Sequence, residues 1–204
     1  MVAMNTIPAA IPRPGGRSAR VQAAVHRATI ELMALHGRAA LTVPLIAARA
    51  GVTPSTIYRR WGDLADLLAD VAVERMRPDG DPADTGSVAG DLQAWVEQYR
   101  DEMSSDIGLG MMLDVLSAKG GSIAEGRLPV PCQCAAFTAA QIATIVARGV
   151  ERGEAVPEVD TVMDTVVSPI VYRALFGTVP MTPPQAQALV ATCMKTARKA
   201  KAIA

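Results

Sequence analysis

Aromatic side chains are scarce in this chain: two Trp, three Tyr and two Phe, 3% of 204 residues. Strand-rich domains lean on aromatic and β-branched residues, so this scarcity argues against a sandwich or a barrel. No run of eighteen consecutive apolar residues occurs, and a membrane-spanning helix is therefore not expected. Cysteine is confined to Cys132, Cys134 and Cys193. An odd count without framework spacing fits a reducing compartment and gives no disulfide scaffold. The two histidines, His26 and His36, are far in sequence from Cys132 and Cys134. No metal site is expected, and inert thiols are the favoured reading, with a redox role for any of the three left open. Also missing are a Gly-rich phosphate loop, HExxH, GxSxG and any nucleophile beside a plausible base. Neither an enzyme nor a cofactor is expected.

What the chain does have is helix-forming material. Half of its residues are hydrophobic, and Ala, Leu, Met, Arg and Gln favour helix. The composition predicts an all-α fold in the cytoplasm. Charge is unevenly spread although the formal net charge is zero. Met1 to Trp61 holds eight Arg, no Lys and one acid, Glu31, a balance of +7; the remainder has twelve Lys and Arg against nineteen Asp and Glu, or −7. Such segregation suits a cationic module facing a polyanion.

Hydrophobic periodicity supplies about nine helices. Residues 1–16, with Pro8, Pro12, Pro14, Gly15 and Gly16, read as a flexible arm and not a signal peptide. From Ser18 to His36, the residues Val21, Ala24, Val25, Ala28, Leu32 and Leu35 mark one buried face, and Gly37 stops the helix. Thr42 is placed to cap a short second helix with Pro44 in its first turn, ending at Ala50 and Gly51. Thr53 caps a third helix, with Pro54 at its first position, that runs to Trp61. Asp63 caps a fourth, striped by Leu64, Leu67, Leu68 and Val71. A loop from Arg77 to Ser87 carries Pro78, Gly80, Pro82 and Gly86 and marks a domain junction. It leaves a helix-turn-helix domain at 17–77 and a second helical domain at 88–204. The latter reads as helices near Val88–Ser104, Asp106–Lys119, Cys132–Arg152, Val159–Phe176 and Pro184–Ile203, with Pro169 expected to kink the fourth.

The informative stretch is LTVPLIAARAGVTPSTIYRRW, Leu41 to Trp61. Ala47 is small where two helices cross and Gly51 permits a tight turn. Ile46, Ala50, Val52, Ile57 and Trp61 supply the apolar anchors. If Ile57 and Trp61 point inward, then Ser55, Thr56, Tyr58, Arg59 and Arg60 lie on exposed sides. That acid-free face of hydroxyls, a phenol and two guanidiniums suits a DNA major groove. The helix N-terminus adds free N–H groups near phosphate.

Residues 17–76 resemble the DNA-binding domain of the tetracycline-repressor (TetR) family. The resemblance runs through VHRATIELMALHG, LTVPLIAARAGVTPSTIYRRW and LADLLADV. It implies a two-fold homodimer on double-stranded DNA at a palindromic operator, most often a repressor released by a small molecule. It further implies that the first four helices bind DNA while the last five bind ligand and dimerise. Thr42 then resembles a phosphate-contacting cap and Tyr58 a phosphate-contacting tyrosine. Thr53, Ser55 and Thr56 sit where the family reaches bases or backbone, with Arg59 and Arg60 at variable contact positions. Pro54, also within the DNA-contacting segment, stands where many members carry a polar or basic residue. Leu64 stands where many have a phosphate-holding Lys, and Arg13, Arg17 and Arg20 are the expected partial compensation.

In the second domain the resemblance places a ligand cavity among the fifth to seventh helices. Candidates for its lining are Trp95, Tyr99, Met103, Met111, Met112, Leu113, Leu116, Phe137, Gln141 and Ile145, with plain core packing the competing reading for each. The scarcity of His and of buried-looking acids points to a small, uncharged, mainly hydrophobic ligand. The last two helices, near 159–176 and 184–203, are the expected dimer interface, with Val162, Val166, Ile170 and Leu175 on one stripe and Leu189, Val190, Cys193 and Met194 on the other. A ligand-independent DNA-binding regulator and an activator of the same fold remain the alternatives.

Overall fold

The computed structural model describes residues 16–118 and 130–199. Among them are nine α-helices, a 3-10 turn at Arg38–Ala40 and one pair of two-residue strands. The expected arm, with Arg13, lies outside the described residues, as do the end of the expected last helix and the side chain of Cys132. The chain divides into two compact units with the boundary after Leu67, inside the fourth helix.

In the first unit α1 (Arg17–His36), α2 (Val43–Ala50) and α3 (Pro54–Trp61) pack as a small bundle. Val25, Ala28 and Leu32 of α1, Ile46 and Ala47 of α2, and Ile57 of α3 are all at least 95% buried. Leu35 is not part of that face; it is 70% exposed, because the seam leaves the helix side before its last turn. Thr42 caps α2 through its hydroxyl oxygen, which accepts from Leu45 N at 3.3 Å. Gly51 ends α2 at φ 68°, ψ 33°, a left-handed conformation that costs other residues roughly 1–2 kcal/mol. The turn closes through Val52 N to Ala47 O at 3.0 Å. A salt bridge from Arg49 of α2 to Glu31 of α1, 2.6 Å, lies across the outside of the pair.

α4 (Leu64–Met76) follows, capped by Asp63, whose carboxylate accepts from Asp66 N at 3.0 Å. The second unit then comprises the last turns of α4, α5 (Val88–Ser104), α6 (Asp106–Ser117), α7 (Val130–Glu151), α8 (159–176) and α9 (Pro183–Met194). Its core is built from Val88, Leu92 and Val96 of α5, Ile142 and Ile145 of α7, Val162, Val166 and Ile170 of α8, and Val190 and Cys193 of α9. α9 lies along α5. Gly149 lets the end of α7 approach closely: a Cβ there would sit 2.1 Å from Val88 Cγ2 and 2.8 Å from Val156 Cγ1.

Three expectations need correction. The last helix stops at Met194 instead of continuing to 203. Arg198–Lys199 instead forms a strand, antiparallel to Ala155–Val156 with Ala155 opposite Lys199. The stripes Val162, Val166, Ile170 and Val190, Cys193 do not face outward for a partner chain; each residue is within 1% of full burial in the chain's own core. Pro169 produces no simple kink. α8 consists of an α-helical turn Val159–Val162, a π-helical turn Met163–Val167 and an α-helical run Ser168–Phe176. The wide turn spares Pro169 the clash with an i−4 carbonyl that an α-helix would impose. Ser168 secures it, its amide and its hydroxyl (3.0 Å) both bonding to Met163 O.

Candidate functional site

The outer face of α3 is assembled from its buried one. Ile57 is fully buried and Trp61 nearly so, with His26 of α1 tilted against the Trp61 ring at 6.1 Å. The helix is thereby fixed in rotation, and Thr53, Pro54, Ser55, Tyr58, Arg59 and Arg60 are exposed, while Thr56 is half-buried. Thr53 does not cap α3 through its side chain. Its hydroxyl instead joins those of Ser55 (2.9 Å) and Thr56 (3.0 Å), a cluster of three hydroxyls at the helix N-terminus. Tyr58 is 49% exposed, and neither it nor Arg59 has a hydrogen-bond or ion-pair partner among the described residues.

Arg60 is employed differently. Its guanidinium donates to Ser18 O (3.1 Å), Ser18 Oγ (2.7 Å) and Gln22 Oε1, and lies 5.1 Å from the centre of the Trp61 ring. Sequence reasoning placed Arg60 beside Arg59 as an equal contact residue. The structure turns three of its five N–H donors to α1, and both arginines line a groove with Arg17, Ser18, Thr53 and Thr56.

The second unit holds two adjoining cavities. One, of about 200 Å3, is lined by Met76, Tyr99, Met103, Met112, Val115, Leu116, Cys134, Ala135, Thr138, Met163, Val167, Val171 and Leu175. The other, of about 450 Å3, shares Met76, Tyr99, Met103, Cys134 and Thr138 with it and adds Trp95, Glu102, Met111, Phe137, Gln141, Arg75 at the end of α4 and the loop from Arg77 to Ala83 among its walls. Trp95, Tyr99, Met103, Met111, Met112, Leu116, Phe137 and Gln141 thus each face one cavity or both. Leu113 is half-exposed and Ile145 lies in the core; neither lines a cavity. Tyr99 stacks on Trp95 at 4.9 Å. Burial pushes its phenol up to about 12, against the opposing pull of a hydrogen bond with Thr138. Burial also raises the Cys134 thiol, whose sulfur is 3.8 Å from that of Met76.

Comparison with known proteins places both units. Residues 82–193 match the family described as "Tetracyclin repressor-like, C-terminal domain", and residues 26–71 match "Bacterial regulatory proteins, tetR family". The chain belongs to the TetR family. TetR-family members are helix-turn-helix transcriptional regulators. The HTH-type transcriptional regulator AqdR of Rhodococcus erythropolis is 31% identical over 139 residues, 68% of this chain and 65% of that protein. The uncharacterized HTH-type transcriptional regulator Rv1556 of Mycobacterium tuberculosis is 38% identical over 64 residues, 31% of this chain and 32% of its own length. The chain therefore matches about a third to two thirds of these relatives' lengths. The crystal structure of the TetR family transcription regulator SCO0332 shares the fold, with a TM-score of 0.63 at 23% identity over 87% of this chain and 98% of that one. Among the described residues, no helix is long and apolar enough to cross a membrane.

In this TetR-family chain the cavity residues that the sequence did not point to lie mainly on α8, where Leu175, expected on the dimer stripe, lines the cavity instead. Met163, Val167, Val171 and Leu175 stand four apart and share one cavity wall. In a plain α-helix, three steps of four residues drift by about 120°. The π-helical turn takes up one extra residue and reduces the drift to about 20°. Met76, Cys134 and Thr138 were missed as well, each a lone apolar or small polar residue without a local signal. Gln141 faces the larger cavity but its amide donates to Gly80 O at 2.8 Å, so it fastens the loop.

Proposed function

We propose that the chain is a repressor that binds a palindromic operator as a two-fold homodimer and is released by a small, mainly apolar effector held in the cavities of the second unit. The observation that carries the DNA-binding half is the rotation of α3: Ile57 and Trp61 buried behind, an acid-free face of Ser55, Tyr58 and Arg59 in front. In this reading Arg59 pairs with a base edge and Tyr58 donates to a phosphate. The hydroxyls of Thr42, Thr53, Ser55 and Thr56 meet backbone or bases beside Pro54. Thr42 can do both tasks, since its oxygen caps α2 while its proton stays available. Arg60 serves by fixing α1 against α3.

The effector half is supported by the cavities, whose combined extent falls within the usual range of about 300–1,000 Å3 for small-molecule sites. The homodimer reading rests on the surfaces of α8 and α9 left after their core stripes are buried, where Tyr172 and Phe176 are 66% and 71% exposed with rings 5.3 Å apart. Two α3 helices serving successive major grooves must sit about 34–36 Å apart. An effector that lowers DNA affinity must itself be bound less tightly by the DNA-bound form, by the same factor.

The test is fluorescence anisotropy of the full chain on a palindromic duplex taken from the DNA upstream of its gene. Scrambling one half-site should weaken binding by about tenfold or more. Equal affinity for the intact and scrambled duplexes would overturn the proposal.

A further inference from the structure

Resting on the effector reading above, we propose that the effector is a neutral amphiphile whose apolar body fills the Met-lined cavity while a single uncharged polar group is held at Tyr99 and Thr138. The lining of the 200 Å3 cavity includes no Asp, Glu, Lys, Arg or His among the described residues. A charge carried into it would lose its hydration and find no counter-charge. Four thioethers, from Met76, Met103, Met112 and Met163, supply soft and adaptable surface in its place.

Polar atoms enter this lining at Tyr99, Thr138 and Cys134. Thr138 Oγ1 already donates to Cys134 O at 3.2 Å, so its remaining capacity is to accept. The Tyr99 phenol keeps its proton at every working pH, since burial holds it near 12. With the Thr138 proton on Cys134 O, the hydrogen bond between the two side chains takes the Tyr99 proton, so the lone pairs left on the two oxygens accept, which suits the O–H of an alcohol or the N–H of an amide. Both residues also line the larger cavity, so they stand where an apolar chamber meets a polar one. That larger cavity carries Arg75 and Arg77 but also Asp79, Asp81 and Glu102. With both signs present it favours an ion of neither kind.

The test uses three probes of equal chain length, 1-decanol, decanoate and decyltrimethylammonium, titrated calorimetrically into the full chain at neutral pH below their micelle concentrations. Decanol should bind tighter than either ion by about tenfold or more. Along the alcohol series, affinity should rise about fourfold per methylene and level off once the cavity is full. Tyr99→Phe should weaken decanol by about threefold to tenfold, and Val171→Trp, which fills the cavity, should abolish binding. Equal or tighter binding of either ion, no binding of any probe, or decanol affinity indifferent to both substitutions overturns the proposal. Decanol that binds yet leaves affinity for the upstream duplex unchanged would uphold this ligand chemistry and sink the effector reading.

Discussion

Arg59 and Arg60 are neighbours with the same chemistry and different employment. Arg60 makes hydrogen bonds to Ser18 and Gln22 on α1, so its loss should be felt through the seating of α1 and the Arg17 and Arg20 carried there. Arg60→Ala is expected to lower DNA affinity about tenfold and evenly across sequences. Adding Gln22→Ala should cost little more, because the two changes remove the same contact. Arg59→Ala should instead lose about 1–3 kcal/mol of discrimination at one base pair. A double-mutant cycle by anisotropy separates them; strict additivity of Arg60 and Gln22 would contradict the positioning role. Local chemistry made Thr42, Gly51 and Trp61 legible in the sequence, since a cap, a left-handed turn and an anchor are each decided within a few residues. The contacts of Arg60 within the chain were not legible because its partners lie 38 and 42 positions back, a distance over which spacing carries no phase.

The same limit applies to elements. The helix count and most helix ends were readable from periodicity and from Gly and Pro. A π-helical turn has no such signature, so the pattern on α8 was phased as a plain helix and its cavity-facing set overlooked. The strand Arg198–Lys199 was hidden for a related reason: Ala155 and Val156, which it pairs with, are too distant to pattern with it. If the wide turn at Met163–Val167 accommodates Pro169, deleting the exposed Thr165 should cost about 3 kcal/mol by forcing the proline into a regular helix. The same deletion combined with Pro169→Ala should recover most of that stability in denaturant unfolding. Failure of the second change to rescue the first would assign the turn to another cause.

The loop after α4 depends on charge for its placement. Asp91 is fully buried and accepts from Thr85 N (2.6 Å), Thr85 Oγ1 (2.7 Å) and Arg152 Nη2 (3.1 Å). Arg152 also pairs with Asp84 at 3.1 Å and with Glu154, while Arg148 donates to Pro82 O at 2.7 Å. Burial acts to raise the Asp91 carboxyl, but the Thr85 and Arg152 hydrogen bonds outweigh it and hold it below the ordinary carboxylate value. A carboxyl depressed on folding stabilises the protein above its unfolded pKa and loses that contribution as pH falls through the folded one. Asp91→Ala should therefore destabilise by about 2 kcal/mol at neutral pH, with the difference from wild type closing below about pH 4. Thermal unfolding followed across pH measures it; a gap that stays constant into acid would refute the assignment.

At the scale of the whole molecule, the proposed dimer makes DNA affinity depend on the free faces of α8 and α9. Tyr172→Glu with Phe176→Glu touches neither the buried core nor α3. In sedimentation these substitutions should yield a monomer that binds the palindromic duplex far more weakly than wild type while unfolding at a similar temperature. A variant that remains dimeric would place the interface elsewhere.

The uneven distribution of charge has a consequence for the protein away from DNA. With +7 up to Trp61 and −7 beyond it, every copy is a polyampholyte in two blocks, able to act as counter-ion to its neighbour. At millimolar ionic strength the basic block of one copy should meet the acidic block of the next, giving reversible clusters visible by light scattering. Added salt should dissolve them, since screening shortens such attractions to about 10 Å at 0.1 M. Duplex DNA should disperse them too, by competing for the same arginines.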